Sequence, residues 1–228
     1  MYPPPFAVYR IPEIPARSFK REQQLRGRAS EHVSIMERTE EMAKVYVFLA
    51  DGLEEVEAMT PVDVLRRAGN EVITVSIMGR KWIRGSHKIY LEADRLLQEV
   101  NCEDGDLYVL PGGGEGTKNL AANRELAQIL NGAYISGSHI AAICAAPSIF
   151  GKMGFLESRK ATVYPGMEAT LTGAEYQDVP VVTDGNVTTG HGPGAAFDFA
   201  FELVRILNGE DSARELKKQM VFQHETVV

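Results

Sequence analysis

The chain has 228 residues, 44% hydrophobic and 24% charged, a globular mixture sized for one large domain or two small ones. A net charge of −7 and a pI near 5.3 argue against a nucleic-acid partner, and Lys and Arg form no dense stripe. Two cysteines, Cys102 and Cys144, without CxxC or Cys/His spacing argue against a disulfide framework and structural zinc, and no apolar run approaches the ~20 residues of a membrane helix.

Residues 1–42 are Pro-rich at first and then densely charged, without periodicity, so they are expected to be disordered or loosely attached, with a short helix over 31–42 as the one candidate element. They lack the continuous apolar core of a secretory signal, and the expected location is the cytoplasm. Met42 directly precedes the first clear strand, which raises the hypothesis that the native start is Met42; peptides from 1–41 in protein from the native host would refute it.

From Lys44 the pattern alternates. "KVYVFLA" reads as a buried strand ending at Asp51-Gly52, and 54–68 as a helix with Val56, Met59, Val64, Leu65 and Ala68 at helical spacing, stopped by Gly69-Asn70. "EVITVSI" is a second strand, and 81–92 alternate like a hairpin turning at Gly85-Ser86. "DLYVLPGGG" is a strand running into a glycine turn, 123–136 a helix, and "HIAAI" a strand that enters Cys144. A helix from about Pro147 follows, then strand "KATVY", the hairpin-like "VPVVTDGNVTTG", a helix from Ala195 to Leu207 and one more to about 218. Residues 43–222 thus read as one doubly wound α/β domain with a mainly parallel sheet, and 223–228 as a tail.

In such sheets ligands bind beyond the carboxyl ends of the strands. Three of those ends carry unusual residues: Asp51-Gly52 with Glu54, Glu55 and Glu57; Pro111 with Gly112, Gly113 and Gly114; and Cys144-Ala145-Ala146-Pro147. Cys144, between an apolar strand and a helix opened by Pro147, resembles a nucleophile elbow. Unpaired N–H groups and the helix dipole there predict a thiol pKa below the ~8.5 of a free cysteine. The competing reading is a small buried hydrophobe.

The glycine run lacks the Gly-Lys-Ser/Thr ending of a phosphate loop; it suits an oxyanion site built from backbone N–H groups, or simply a strand-to-helix turn. Glu54 and Glu55 are explained by the dipole of their helix, whereas Glu57, one turn on from Glu54, could tilt towards the rim and stay protonated. Among the histidines, His191 in "TTGHGPGAAFDF" is the best rim candidate. His87 reads as an exposed hairpin residue, and His139 as lying at the wrong end of the sheet. Cys102, among like charges in "NCEDGD", reads as unreactive.

The blocks "FLADGLEEVEAMTPVDVLRRAG", "LYVLPGGGEGTKNL", "IAAICAAPSIFG" and "GHGPGAAFDFA" together resemble the ThiJ/PfpI superfamily, within it the branch of the parkinsonism-associated deglycase, over Lys44 to Val221. The resemblance implies a flavodoxin-like sandwich related to class I glutamine amidotransferases, commonly a homodimer. It implies Cys144 as nucleophile and oxidation-sensitive cysteine, Glu57 as the carboxyl hydrogen-bonded to it, and the Gly113 and Ala145 N–H groups as oxyanion site, with His191, Tyr164 and Gly112 as auxiliary positions. The implied activities are glyoxalase without glutathione, deglycation, redox-dependent chaperoning and oxidative-stress protection, with small aldehydes or glycated adducts as partners and neither cofactor nor metal.

Two departures bear on mechanism. Proteases of the wider family place a histidine directly after the nucleophile, where this chain has Ala145, so peptidase activity is not expected. The deglycase branch often carries a histidine where this chain has Tyr164, and an arginine where it has His191. Turnover on an aldehyde and oxidation of Cys144 to a sulfinate without turnover both remain open.

Overall fold

The structure, a computed structural model, describes residues 42–222; the expectations for residues 1–41 and for the tail at 223–228 lie outside them. The first half runs β1 (Lys44–Leu49), α1 (Glu55–Arg67), β2 (Glu71–Ser76), β3 (Trp82–Arg84), β4 (Tyr90–Glu92), β5 (Arg95–Leu96), β6 (Leu107–Leu110), α2 (Gly114–Ala122) and α3 (Arg124–Ser136). The second runs β7 (His139–Ile143), α4 (Pro147–Lys152), β8 (Lys160–Ala161), β9 (Glu175–Tyr176), β10 (Val181–Asp184), β11 (Val187–Gly190), α5 (Ala196–Asn208) and α6 (Glu210–Gln219).

Seven strands form one sheet in the order β10-β11-β7-β6-β1-β2-β5, parallel except for the antiparallel β10–β11 pair. Alternate residues of β1 go to opposite faces. Val45, Val47 and Leu49 pack with α1, α5 and α6, while Tyr46 and Phe48 pack with α3 and α4. Helices on both faces explain why these strands are apolar throughout rather than alternating. The chain leaves β1 towards β2 on one side and β6 on the other, so the β1/β6 boundary is the topological switch point where such folds open a cleft.

Three elements differ from expectation. Helix α2 was not foreseen, because "GEGTKNLAA" carries two glycines and no apolar stripe; Asn123 both ends it and caps α3, accepting from the Leu126 N–H at 2.9 Å. "KATVY" pairs over only two residues, with β9 and outside the main sheet. Its continuation turns to other partners instead, Thr162 N donating to Thr189 Oγ1 (2.9 Å) and Tyr164 N to the Cys144 carbonyl (2.9 Å). The short edge strand β5 was also unforeseen, whereas the β3–β4 hairpin forms as expected.

His139, the first residue of β7, lies at the end of the sheet away from the cleft, as expected. Its Nε2 sits 2.8 Å from Thr188 Oγ1, which is 2.8 Å from Thr183 Oγ1, which donates to Glu202 Oε1 at 2.7 Å. A chain of donors ending on a carboxylate puts the histidine proton on Nε2 of a neutral ring. Burial, with Arg205 adding to it against the opposing pull of Glu202, takes the His139 pKa down from 6.5 to about 4. The unfolded chain therefore binds a proton here that the folded chain refuses. The associated stability is present above pH 6.5 and is lost as pH falls through 4, a swing of about 3 kcal/mol. His139→Gln should abolish that component of acid lability, measured by urea unfolding across the window; an unchanged acid limb would contradict the assignment.

Candidate active site

Strands β1, β6, β7 and β11 are parallel neighbours, so their carboxyl ends bring Asp51-Gly52, Pro111–Gly114, Cys144 and His191 to one rim. Cys144 follows the last residue of β7 with φ +64°, in the left-handed region that costs an L-residue roughly 1–2 kcal/mol. Neighbouring segments hold it there: its N–H donates to the Gly190 carbonyl at 2.9 Å and its carbonyl accepts from Tyr164 N at 2.9 Å. The elbow expected from the sequence is present. Helix α4, however, has only six residues and starts three positions later, so it supplies little dipole.

Glu57, in the first turns of α1, is fully buried. Its Oε2 accepts from Gly112 N at 3.1 Å, and the carboxyl meets the Cys144 thiol, although Oε1 has no well-aligned hydrogen-bond partner. Gly112 fits between the two groups only because it lacks a side chain: a Cβ there would lie 2.5 Å from Glu57 Oε2 and 2.7 Å from Cys144 Cβ. The backbone N–H groups of Gly113 and Ala145 lie close enough to the sulfur to favour its charged form.

The thiol pKa expected from the sequence needs correction. Burial first, and then the adjacent Glu57 carboxylate, push the Cys144 thiol up to about 12, with the Gly113 and Ala145 N–H groups pulling the other way. Glu57 is itself pushed up to about 7, by burial first and by the Glu54 charge. Two buried acids in contact oppose a second charge, so the pair titrates as a unit. Its first proton leaves near neutrality, and the second only in strong base.

Tyr164 and His191 line a cleft of about 370 Å³ with Asp178, Val179, Pro180 and Asp198 among its other walls. The His191 Nδ1 lies 3.2 Å from Thr162 Oγ1, which fixes the ring, and Tyr164 is 47% exposed at the cleft. Cys144 itself is not in that lining. Cys102 lies under the opposite end of the sheet, its pKa raised to about 11 by burial first and then by Asp104 and Glu125. Among the described residues Glu54, Glu55 and His87 bring potential metal-ligand atoms within 4.8 Å of one another. Both Glu55 oxygens are already engaged by the hairpin, which makes the group a structural clamp that the sequence reading missed.

A mainly parallel α/β sheet with helices on both faces, a left-handed cysteine at a strand end and a buried carboxyl beside it is a flavodoxin-like arrangement. The chain belongs to the DJ-1/PfpI family, whose model matches residues 43–206. It is 34% identical to protein dj-1beta of Drosophila melanogaster over 78% of this chain and 96% of that protein. It is 32% identical to a Pyrococcus abyssi protein named a deglycase, over 72% of this chain and 99% of that one. The solved structure of oxidized DJ-1 from Toxoplasma gondii superposes with a TM-score of 0.77 at 31% identity, covering 80% of this chain and all of that one. Among the described residues no helix is long and apolar enough to cross a membrane.

Proposed function

We propose that the protein acts on small reactive aldehydes or their adducts, as a glutathione-independent glyoxalase or deglycase, with Cys144 as nucleophile. What supports this reading is the contact of the buried Glu57 carboxyl with Cys144 at the strand end, held by Gly112 N donating to Glu57 Oε2 at 3.1 Å. Glu57 ionises first, near pH 7, and its carboxylate takes the thiol proton as the sulfur attacks, while the Gly113 and Ala145 N–H groups favour the charge on sulfur. The deglycase name of an archaeal relative points to the same substrates.

With methylglyoxal, the thiolate adds to the aldehyde carbon, and the carbonyl electron pair goes to oxygen, where the two N–H groups receive it. Glu57 supplies the proton that makes the hemithioacetal. Its carboxylate then carries the carbon-bound proton to the neighbouring carbon as the former ketone becomes an alcohol. Water cleaves the resulting thioester, releasing lactate and the thiol. Ala145 directly after the nucleophile offers no base for peptide hydrolysis. We take the working state to be a cytoplasmic homodimer in stress protection, without nucleic acid, membrane, cofactor or metal.

A second reading has support in the unaligned Glu57 Oε1 and in Tyr164 at the cleft. Here peroxide oxidises the thiolate to a sulfinate, releasing water at each step, and the protonated carboxyl donates to a sulfinate oxygen. One experiment separates the two: lactate formed from methylglyoxal by the wild type and by Cys144→Ala, beside intact mass after mild peroxide. Equal lactate from both proteins would defeat the enzyme. A Cys144 that gains no oxygen while Cys102 does would defeat the sensor. The rate of Cys144 alkylation should rise through an inflection at about pH 7, where the Glu57 carboxylate that takes the thiol proton forms. A rate that rises only above about pH 9 would show that the Glu57 carboxylate does not take the thiol proton.

A further inference from the structure

His87 has a side chain that is 69% exposed, yet it is not a free surface residue. Its Nδ1 lies 2.8 Å from Glu55 Oε2, and its backbone N–H donates to Glu55 Oε1 at 2.8 Å. Ser86 Oγ adds a third bond, to Oε2 at 3.2 Å. Glu55 is 7% exposed, and its carboxyl fills the space over Gly85, where a Cβ would lie 2.2 Å from Oε1. A buried carboxylate with both oxygens engaged is a strong tether between the β3–β4 hairpin and the first turn of α1.

Backbone bonds extend the seam. Ser86 N donates to the Leu53 carbonyl (2.8 Å), Gly52 N to Arg84 (2.8 Å) and Arg84 N to Asp51 Oδ1 (3.0 Å), while Arg80 pairs with Asp51. The opposite side of the same Asp51–Glu55 segment holds the rim. Glu54 N donates to the Gly112 carbonyl at 3.1 Å, Gly116 N donates to Gly52 at 3.0 Å, and the Glu54 carboxylate accepts from Glu57 N at 2.8 Å. The hairpin therefore reaches both the carboxyl that faces Cys144 and the glycine loop at Gly112 and Gly116, through one intervening segment.

We propose that His87 and Glu55 are positioning residues for the Cys144–Glu57 pair: the hairpin clamps the start of α1 and so sets where the Glu57 carboxyl and the Gly113 N–H stand relative to the sulfur. The proposal rests on Cys144 being the nucleophile. An exposed ion pair adds little to stability, and the backbone seam survives loss of the imidazole, so His87→Ala is expected to fold. What it removes is the imidazole bond to Glu55 Oε2, one of three hairpin bonds on a carboxylate two residues from Glu57; the His87 N–H and Ser86 hydroxyl bonds remain. Misplacement of reacting groups by a fraction of an ångström is costly in rate.

The test compares wild type, His87→Ala, His87→Gln and Glu55→Gln by lactate formation from methylglyoxal and by the pH profile of Cys144 alkylation with iodoacetamide, read by peptide mass. His87→Ala is expected to lower kcat on the order of 10-fold with KM little changed, and to move the alkylation inflection, at an unchanged Tm. His87→Gln, which still donates to Glu55, should recover most of both. Wild-type kcat and inflection in His87→Ala would overturn the proposal, as would an equal loss in His87→Ala and His87→Gln that tracks Tm. Sensitivity of the wild-type rate to EDTA would overturn it in favour of a metal site on the same three side chains. Absence of lactate from the wild type would defeat the glyoxalase reading alone, because alkylation still reports the clamp.

Discussion

Gly113→Ala is expected to cost the protein both its stability and its turnover, while Gly114→Ala, one residue on, costs neither. Gly113 sits at φ +88°, and a Cβ there would lie 2.3 Å from the Gly52 carbonyl oxygen and 2.7 Å from Glu54 N, both backbone atoms of the β1–α1 segment. The backbone conformation alone disfavours an L-residue by about 1–3 kcal/mol. The collision, with no flexible side chain to yield, adds about 1–3 kcal/mol more. Against a total of roughly 5–15 kcal/mol this is a large fraction, and Tm should fall on the order of 10 °C. Any relief of the clash moves the Gly113 N–H away from the sulfur, and loss of one oxyanion donor lowers kcat by about 10²–10³. Gly114 opens α2 with nothing within 4 Å of a would-be Cβ, so alanine there should be neutral or slightly stabilising. Thermal melts and lactate assays of the two variants side by side decide it; wild-type behaviour in Gly113→Ala would remove the glycine loop from the mechanism.

Glu57→Gln is expected to make the protein more stable and less active. Burial raises the Glu57 pKa from 4.5 to about 7, so the folded chain holds a proton that the unfolded chain has lost. For an acid shifted upward, the associated stability is complete below pH 4.5 and is lost as pH rises through 7, a change of about 3 kcal/mol. Glutamine keeps the shape and an acceptor for Gly112 N–H but carries no charge. The variant should match the wild type near pH 4.5 and exceed it at about pH 8 by up to about 3 kcal/mol, roughly 10 °C in Tm. Turnover should fall by about 10²–10⁴, the usual contribution of a positioned acid–base. Parallel stability curves for the two proteins across this range would show that the carboxyl is not buried as an acid. The trade of stability for function is common at active sites.

Much of this was legible in the sequence because it depends on local pattern. The apolar runs of β1, β6 and β7, the glycine stop after α1 and the small residues after Cys144 carry their own reasons. What was not legible depends on residues far apart in the chain. The three glycines at 112–114 look alike in sequence, but one faces the Glu57–Cys144 pair, one faces the Gly52 carbonyl, and one faces nothing. The thiol pKa was misjudged because the pattern displayed the donors and hid the depth of burial. "KATVY" alternates like a strand, yet Thr162 and Tyr164 spend their N–H groups on Thr189 and Cys144. His87 seemed idle because its partner, Glu55, stands 32 positions earlier.

The two buried titrating groups at opposite ends of the sheet have a joint consequence for calorimetry. Between pH 4.5 and 6.5, unfolding releases a proton from Glu57 and takes one up at His139. At these two groups the release and the uptake then nearly cancel. Unfolding enthalpies of the wild type near pH 5.5, measured in buffers of low and high ionisation heat, should agree. In Glu57→Gln the uncompensated uptake at His139 should raise the enthalpy in the buffer of higher ionisation heat, and in His139→Gln the uncompensated release from Glu57 should lower it.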